Sequence, residues 1–310
     1  MPLRSQRAVL ATKIEAAEGT AETLAAANGV LALSATFQRN QDLIVRNPLR
    51  PTLSQMTSVP GRKTGTITST VECKGGGAAG TAPEWGALLQ SCGFSETISP
   101  GVSVTYVPVS TGDKSITAAL YMDGIRHLLA GCRSTFTLGG AVGELALFNF
   151  STLGVEESTT DVAIISPTYQ TPVPKVLKGL TFTLHGSTSP TVICSAMAID
   201  FGVGLSPRGD FSKTSGYIST FLGDRNTTCN FLVEKPLVAT KDWYGILEAA
   251  TEANISCALT GSAGNIVTIT APKFQVTNIT EQDDGGKAML SIDGKLNLST
   301  GDDEFSIVCT

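Results

Sequence analysis

Charge is scarce in this 310-residue sequence: Asp, Glu, Lys and Arg make up 16% of it, against about 25% in an average globular chain. Its polar surface must come from Ser, Thr and Gly, which suits strands and broad subunit contacts rather than a solvated helical bundle. Histidine is scarcer still, with only His127 and His185. Both fall in expected strands without Cys, Asp or Glu at ligand spacing, so a structural role is expected for each. No G-x-S-x-G, H-E-x-x-H or Walker sequence occurs, and neither catalysis nor a metal or cofactor site is expected. The apolar runs are too short to span a bilayer, and no sustained apolar stretch near the start suggests a secretory signal. The seven cysteines, at 73, 92, 132, 194, 229, 257 and 309, include no C-x-x-C pair. Isolated buried thiols in a reducing cytoplasm are expected, rather than a disulfide or zinc framework.

Several short motifs carry no chemistry. Gly75–Gly80 lacks the Lys-Ser/Thr of a phosphate loop and reads as a flexible loop. Asp283-Asp284-Gly285-Gly286 lacks the spaced partners of a calcium loop and reads as a turn. Arg208-Gly209-Asp210 and the N-x-S/T triplets at Asn149, Asn226, Asn254, Asn278 and Asn297 are chance matches in a chain with no sign of secretion. The net charge of −5 is divided unevenly: residues 1–155 carry twelve basic and ten acidic side chains, and residues 156–310 carry ten and seventeen. A whole-protein nucleic-acid binder would normally be basic, and this chain is not.

Strand signals dominate what is present. Thr64–Val71, Ser115–Met122, Ile125–Cys132, Thr135–Leu138, Glu144–Phe150, Gly179–His185, Thr191–Phe201, Asn265–Thr270 and Lys287–Leu298 all read as strands. Asp123-Gly124 supplies a type I′ hairpin turn, and Gly139-Gly140 reads as a break. Two short helices are expected. One covers Trp85–Ser91 behind Pro83, and the other Asp242–Glu252 with Asp242 as N-cap.

The two halves repeat one another. Val30-Leu31 aligns with Val192-Ile193, and Gly61, Val71 and Glu72 with Gly223, Val233 and Glu234, all at an offset of 162. Trp85-Gly86-Ala87-Leu88-Leu89 aligns with Trp243-Tyr244-Gly245-Ile246-Leu247 at 158, the shortfall falling at the Gly75–Gly80 loop. Two modules are therefore expected, 1–165 and 166–310. Trp85, Leu88 and Leu89 would anchor the core of the first, and Trp243, Ile246 and Leu247 that of the second. Pro167–Pro174 reads as the linker, with Glu156–Asp161 as an exposed connection leading to it.

Residues 37–63 read as a long loop carrying Arg39, Arg46, Arg50, Arg62 and Lys63 against Asp42 alone. Such an arm would dock on an acidic surface of a neighbouring copy. The stretch with Glu281, Asp283, Asp284, Asp302, Asp303 and Glu304 offers one, charge complementarity setting the register.

The sequence from Gly80 to Phe94, GTAPEWGALLQSCGF, and the hairpin Tyr121–His127, together with the arm and the opening ATKIEAAEGTAE, resemble the tail tube proteins of long-tailed bacteriophages over most of residues 10–155. The resemblance implies a mainly β fold of two tandem β-sandwich or barrel modules, each with one short helix, assembling into rings. Single-module relatives form hexamers, so a duplicated chain would close as a homotrimeric, pseudo-hexameric ring, with a single-module hexamer carrying the second half as an added outer domain as the runner-up. It further implies a siphophage virion component, assembled in the bacterial cytoplasm. Stacked rings would pass genomic DNA and the tape-measure protein without tight binding, and would meet tail terminator and distal tail proteins. No membrane or cofactor is implied. Another baseplate or capsid-associated β-protein is the alternative, and a hydrolase on a β-scaffold a more distant one.

Overall fold

The computed structural model describes residues 2–259 and 261–310. The first half contributes β1 (Ala8–Ile14), β2 (Gly29–Val30), β3 (Ala32–Ile44), β4 (Val59–Glu72), helix α1 (Gly86–Ser91), β5 (Phe94–Ser99), β6 (Ser103–Pro108), β7 (Ile116–Met122), β8 (Ile125–Ala141) and β9 (Leu147–Asp161). The second contributes β10 (Thr181–Leu184), β11 (Ser187–Thr188), β12 (Cys194–Asp200), β13 (Val203–Gly209), β14 (Tyr217–Arg225), β15 (Thr228–Glu234), helix α2 (Trp243–Glu248), β16 (Glu252–Leu259), β17 (Val267–Asp284), β18 (Lys287–Leu296) and β19 (Ser306–Cys309). The chain is mainly β, as expected from its Ser/Thr-rich, period-2 patterning.

Both halves pair their strands in one order. In the first it is β2-β1-β7-β8-β9-β4-β3, and in the second β11-β10-β16-β17-β18-β15-β12, all antiparallel. Register agrees as well as order. The β3–β4 ladder has a bulge between Ala32 and Ser34, and the β12–β15 ladder has one between Cys194 and Ala196, 162 residues on. A bulge inserts an unpaired residue and bends its strand, so both strands turn at the same place.

Main-chain pairing joins the halves. Residues Ala196–Asp200 of β12 pair with Thr137–Ala141 of β8, and Ile307–Cys309 of β19 pair with Val104–Tyr106 of β6. The core runs across the joint: Phe201 stacks on Phe136 at 5.2 Å and lies 4.7 Å from Phe94. The hairpin β13–β14 folds back over β8 and β9, where Gly131 leaves room for Ser219. That cover explains why β8 is buried on both faces from Leu129 to Ser134.

Several sequence expectations change. Residues 37–63 are not a long loop but most of a hairpin, with β3 reaching Ile44 and β4 starting at Val59. Its outer part is exposed on both faces, so no apolar alternation marked it as strand. Glu156–Asp161 is the end of β9, paired with β8, rather than a connection. Gly139-Gly140 does not break β8; the glycines let β12 approach, since a Cβ on Gly139 would stand 2.3 Å from the Met197 carbonyl oxygen. The Gly75–Gly80 loop is packed, with Gly77 N–H donating to Gly264 O at 2.9 Å and Gly75 N–H to Asn265 Oδ1 at 3.0 Å. Helix α2 ends at Glu248, and the Asp242 carboxylate caps it by accepting from Gly245 N–H at 2.8 Å. His185 sits in a turn at φ +48° instead of in a strand.

Candidate functional site

Period 2 puts one face of a broad sheet into the core and the other into solvent. In the order β3-β4-β9-β8-β12-β15-β18-β17, the inward face carries Ile67, Val71, Phe136, Phe148, Met197, Phe231 and Ile292, all buried. The outward face of the first half carries Ser34, Thr36, Thr68, Thr70, Asn149, Ser151, Thr135 and Thr137, which the ladders place side by side. Thr36 and Thr68 hydroxyls meet at 2.6 Å, and the Thr70 hydroxyl donates to Asn149 Oδ1 at 2.9 Å. The second half continues the face with Ala198, Asp200, Thr228, Asn230, Asp293 and Asn278. Asn230 Nδ2 donates to Asp293 Oδ1 at 2.6 Å, and Asn278 Nδ2 to Asp293 Oδ2 at 3.1 Å. The result is an eight-stranded surface of hydroxyls and amides, charged at Glu72 at the end of β4 in the first half and at Asp200, Asp293 and Lys295 in the second. The signal for it was the Thr alternation of Thr64–Val71, whose continuation across strands is not local in sequence.

The β3–β4 hairpin projects from one end of this sheet. Its basic residues do not act alike. The Arg39 guanidinium forms a two-pronged ion pair with Glu156, through Nε at 2.6 Å and through Nη2. Arg62 pairs with Asp42 at 3.2 Å and lies over the Tyr217 ring at 5.3 Å. Lys63 is half-buried, and its backbone N–H donates to Ser215 O at 3.1 Å. Arg46 and Arg50 stand exposed near the tip, Arg50 reaching the Ser54 carbonyl of its own turn. Leu49 and Leu53 beside them are fully exposed.

The six acidic residues lie in two places. Glu281, Asp283 and Asp284 occupy the tip of the β17–β18 hairpin, where Glu281 meets Lys235 Nζ and Tyr244 OH at 2.5 Å and Asp284 meets Lys287 at 2.9 Å. Asp302, Asp303 and Glu304 lie beside the base of β19, whose Ser306 pairs with Thr270. Thr270 and Glu281 are eleven positions apart on β17, roughly 35 Å of strand. Asp302 and Glu304 hold Arg225 at 2.5 and 2.9 Å along a groove of about 780 Å³. The Ser110 hydroxyl and the Arg225 guanidinium hold the Asp302 carboxyl below its ordinary range.

Of the expected core anchors, Trp85, Leu88, Leu89 and Trp243 are buried, whereas Ile246 and Leu247 are half-buried at the rim. The histidines have structural surroundings. His127 stacks on Phe37 at 4.2 Å, and His185 Nε2 contacts Thr251 O at 3.1 Å. Burial lowers the pKa of both. The cysteines are free thiols, and among the described residues no three His, Cys, Asp or Glu side chains gather as a metal site. Among the described residues no helix is long and apolar enough to cross a membrane. A family model described as phage tail tube protein matches residues 5–296. No curated protein matches the chain.

Proposed function

The chain belongs to the phage tail tube protein family, and from that premise we propose that its copies close into trimeric rings of two modules each, which stack into the DNA conduit of a long tail. Membership makes it a structural component of the virion tail that self-assembles into a tube with other tail proteins. The repeated strand order, with the bulge recurring 162 residues on, carries the finer reading. It supports an internal duplication with modules at 1–165 and 166–310, and two modules per chain make six around a ring of three.

The hydroxyl and amide face of the eight-stranded sheet is the lumen wall in this reading. A conduit must let DNA slide, and each phosphate neutralised by a cation adds salt-dependent affinity that would stall it. This wall is Thr, Ser and Asn with carboxylates at Glu72, Asp200 and Asp293, and the exposed cation among them is Lys295, opposite Thr228 and two residues from Asp293. Genomic DNA and the tape-measure protein would pass along it unbound, and tail terminator and distal tail proteins would close the ends. The β3–β4 arm, with Arg46 and Arg50 at its tip, reaches the next ring. Electron microscopy of the purified protein tests this: stacked rings with a central hole and threefold or pseudo-sixfold symmetry are expected. True sixfold rings of whole chains would overturn the trimer, and closed shells would overturn the tube.

A further inference from the structure

Within the chain, one strand edge of the second module joins one strand edge of the first. The joint is antiparallel and its register is defined: Ala196 faces Ala141, Ala198 faces Gly139, and Asp200 faces Thr137. The same two edges recur unpaired. β3 is the counterpart of β12 at the offset of 162, which their bulges share. Among the described residues its other edge has no partner, since β3 pairs with β4 alone. β17 is the counterpart of β8, and the offset follows from the ladders. Leu138 faces Phe148 and Phe148 faces Val71 in the first module. Glu281 faces Leu290 and Leu290 faces Val233 in the second. Val71 and Val233 are equivalent, so Leu138 and Glu281 are too. Among the described residues the 280–284 stretch of β17 pairs with β18 alone.

We propose that β3 of one copy pairs antiparallel with β17 of the next in the register inherited from the β12–β8 joint, placing Ser34 opposite Asp284, Thr36 opposite Gln282 and Gln38 opposite Thr280. The inference rests on the ring reading above and adds its residue-level contact. Repeating one joint within and between chains makes every module boundary alike, which a closed ring requires. The composition of β3 agrees. Free edge strands are protected by charge, proline or cover, yet residues 32–38, ALSATFQ, contain no charged residue and no proline. Thr36–Gln282 and Gln38–Thr280 would extend the hydroxyl and amide face across the boundary. Phe37 would meet Glu281 where the internal joint sets Ile199 against Leu138. Arg39, two residues along on the same face, would stand diagonal to Glu281, within reach of a long side chain.

Cysteine pairs read the register directly. Opposed residues in an antiparallel ladder lie about 4.5–5.5 Å apart at Cα, inside the range a disulfide spans. The full-length Thr36→Cys/Gln282→Cys variant, assembled under reducing conditions, checked for rings by microscopy and then oxidised, is expected to give linked dimers and a closed linked trimer on non-reducing gels. Each single variant and the parent, with its buried thiols, should stay monomeric on the gel. The Thr36→Cys/Asp284→Cys pair, two residues or about 7 Å out of register, should link at least about tenfold less. Ala35→Cys/Asp283→Cys reads the same register should the first pair perturb assembly. Rings in which neither in-register pair links, or in which the offset pair links better, overturn the inference and leave the tube reading standing. A chain that forms no ring overturns both.

Discussion

Gly75 and Gly264, one from each half, meet backbone to backbone: a Cβ on Gly75 would stand 2.3 Å from the Gly264 carbonyl oxygen. Gly264 is the stricter of the two, with φ +85° and a Cβ position only 2.5 Å from Ala78 N. Gly264→Ala therefore adds a steric clash to the strain of a left-handed backbone, together at least about 3 kcal/mol. Gly143→Ala, at φ +91° with open space around it, should cost only the backbone share of about 1 kcal/mol. Thermal unfolding of the two variants compares them. Equal losses would mean that the glycine contact does not bind the halves.

The Arg39–Glu156 pair is lopsided, the Arg39 side chain being 49% exposed and that of Glu156 1%. Burial alone would raise the Glu156 carboxyl; the Arg39 guanidinium and the Thr159 hydroxyl outweigh it and hold it below its ordinary value. Arg39→Ala strands a buried carboxylate, a loss of about 3 kcal/mol by the precedent of buried pairs. Glu156→Gln leaves an arginine that can turn to water and should cost less than half as much. Because the folded-state pKa is depressed, this share of stability is present above the ordinary glutamate range near pH 4.3 and is lost as pH falls through the folded value. Denaturant unfolding at pH 7 and pH 4 should show Glu156→Gln with a flatter acid slope than the parent.

How much was legible in the sequence depended on whether the signal was local. The Asp123-Gly124 turn was legible because both residues must take positive φ, and they do, at +44° and +108°. The equivalent tryptophans were legible because there are only two. The outer arm was not, since Gln38, Asn40 and Asp42 alternate with residues just as exposed, and pairing with β4 rather than burial makes it a strand. The hydroxyl and amide face and the Gly75–Gly264 contact are non-local: each needs residues from both halves at a spacing only the ladders define. Splitting the acidic stretch into two sites required knowing how far β17 extends past β19.

The equivalent tryptophans differ in one hydrogen bond. Trp85 Nε1 donates to Lys74 O at 2.9 Å, whereas the buried Trp243 Nε1 has no partner among the described residues. Trp85→Phe loses a buried bond as well as volume, and Trp243→Phe removes an unsatisfied donor along with the volume. The first should be more destabilising by about 1–2 kcal/mol. Chemical denaturation followed by circular dichroism measures the difference, and a larger loss from Trp243→Phe would contradict it.

Asp303 organises the loop before β19, accepting from the backbone N–H groups of Ser299, Thr300 and Gly301 and from the Thr300 hydroxyl. The Ser299 N–H and Thr300 hydroxyl lead in lowering its pKa to about 2. The sign follows: the loop is held above the ordinary aspartate range and released only as pH falls through about 2. Amide exchange at Ser299 and Thr300 should be slow at pH 4 and fast in Asp303→Asn at the same pH. Equal exchange in the two proteins would mean that the carboxylate does not hold the loop.

Arg46 and Arg50 provide the sharpest separation of folding from assembly. Both are exposed, and neither is in an ion pair with a carboxylate of its own chain among the described residues. Surface charges so placed contribute within about 0.5 kcal/mol to stability, so Arg46→Glu/Arg50→Glu should melt with the parent. If the arm docks on an acidic surface of the neighbouring ring, reversal turns attraction into like-charge repulsion, which costs several kcal/mol across an interface. Tubes should then shorten or fail to form while single rings persist, because the ring closure proposed above would use the sheet edges and not the arm tip. Rising salt should narrow the gap, since exposed charges are screened within about 8–10 Å at physiological ionic strength. Full-length tubes from the reversed variant at physiological salt would remove the arm's arginines from the stacking contact and leave its exposed apolar groups, Leu43, Ile44, Val45, Leu49, Leu53 and Val59, as its other candidate contacts.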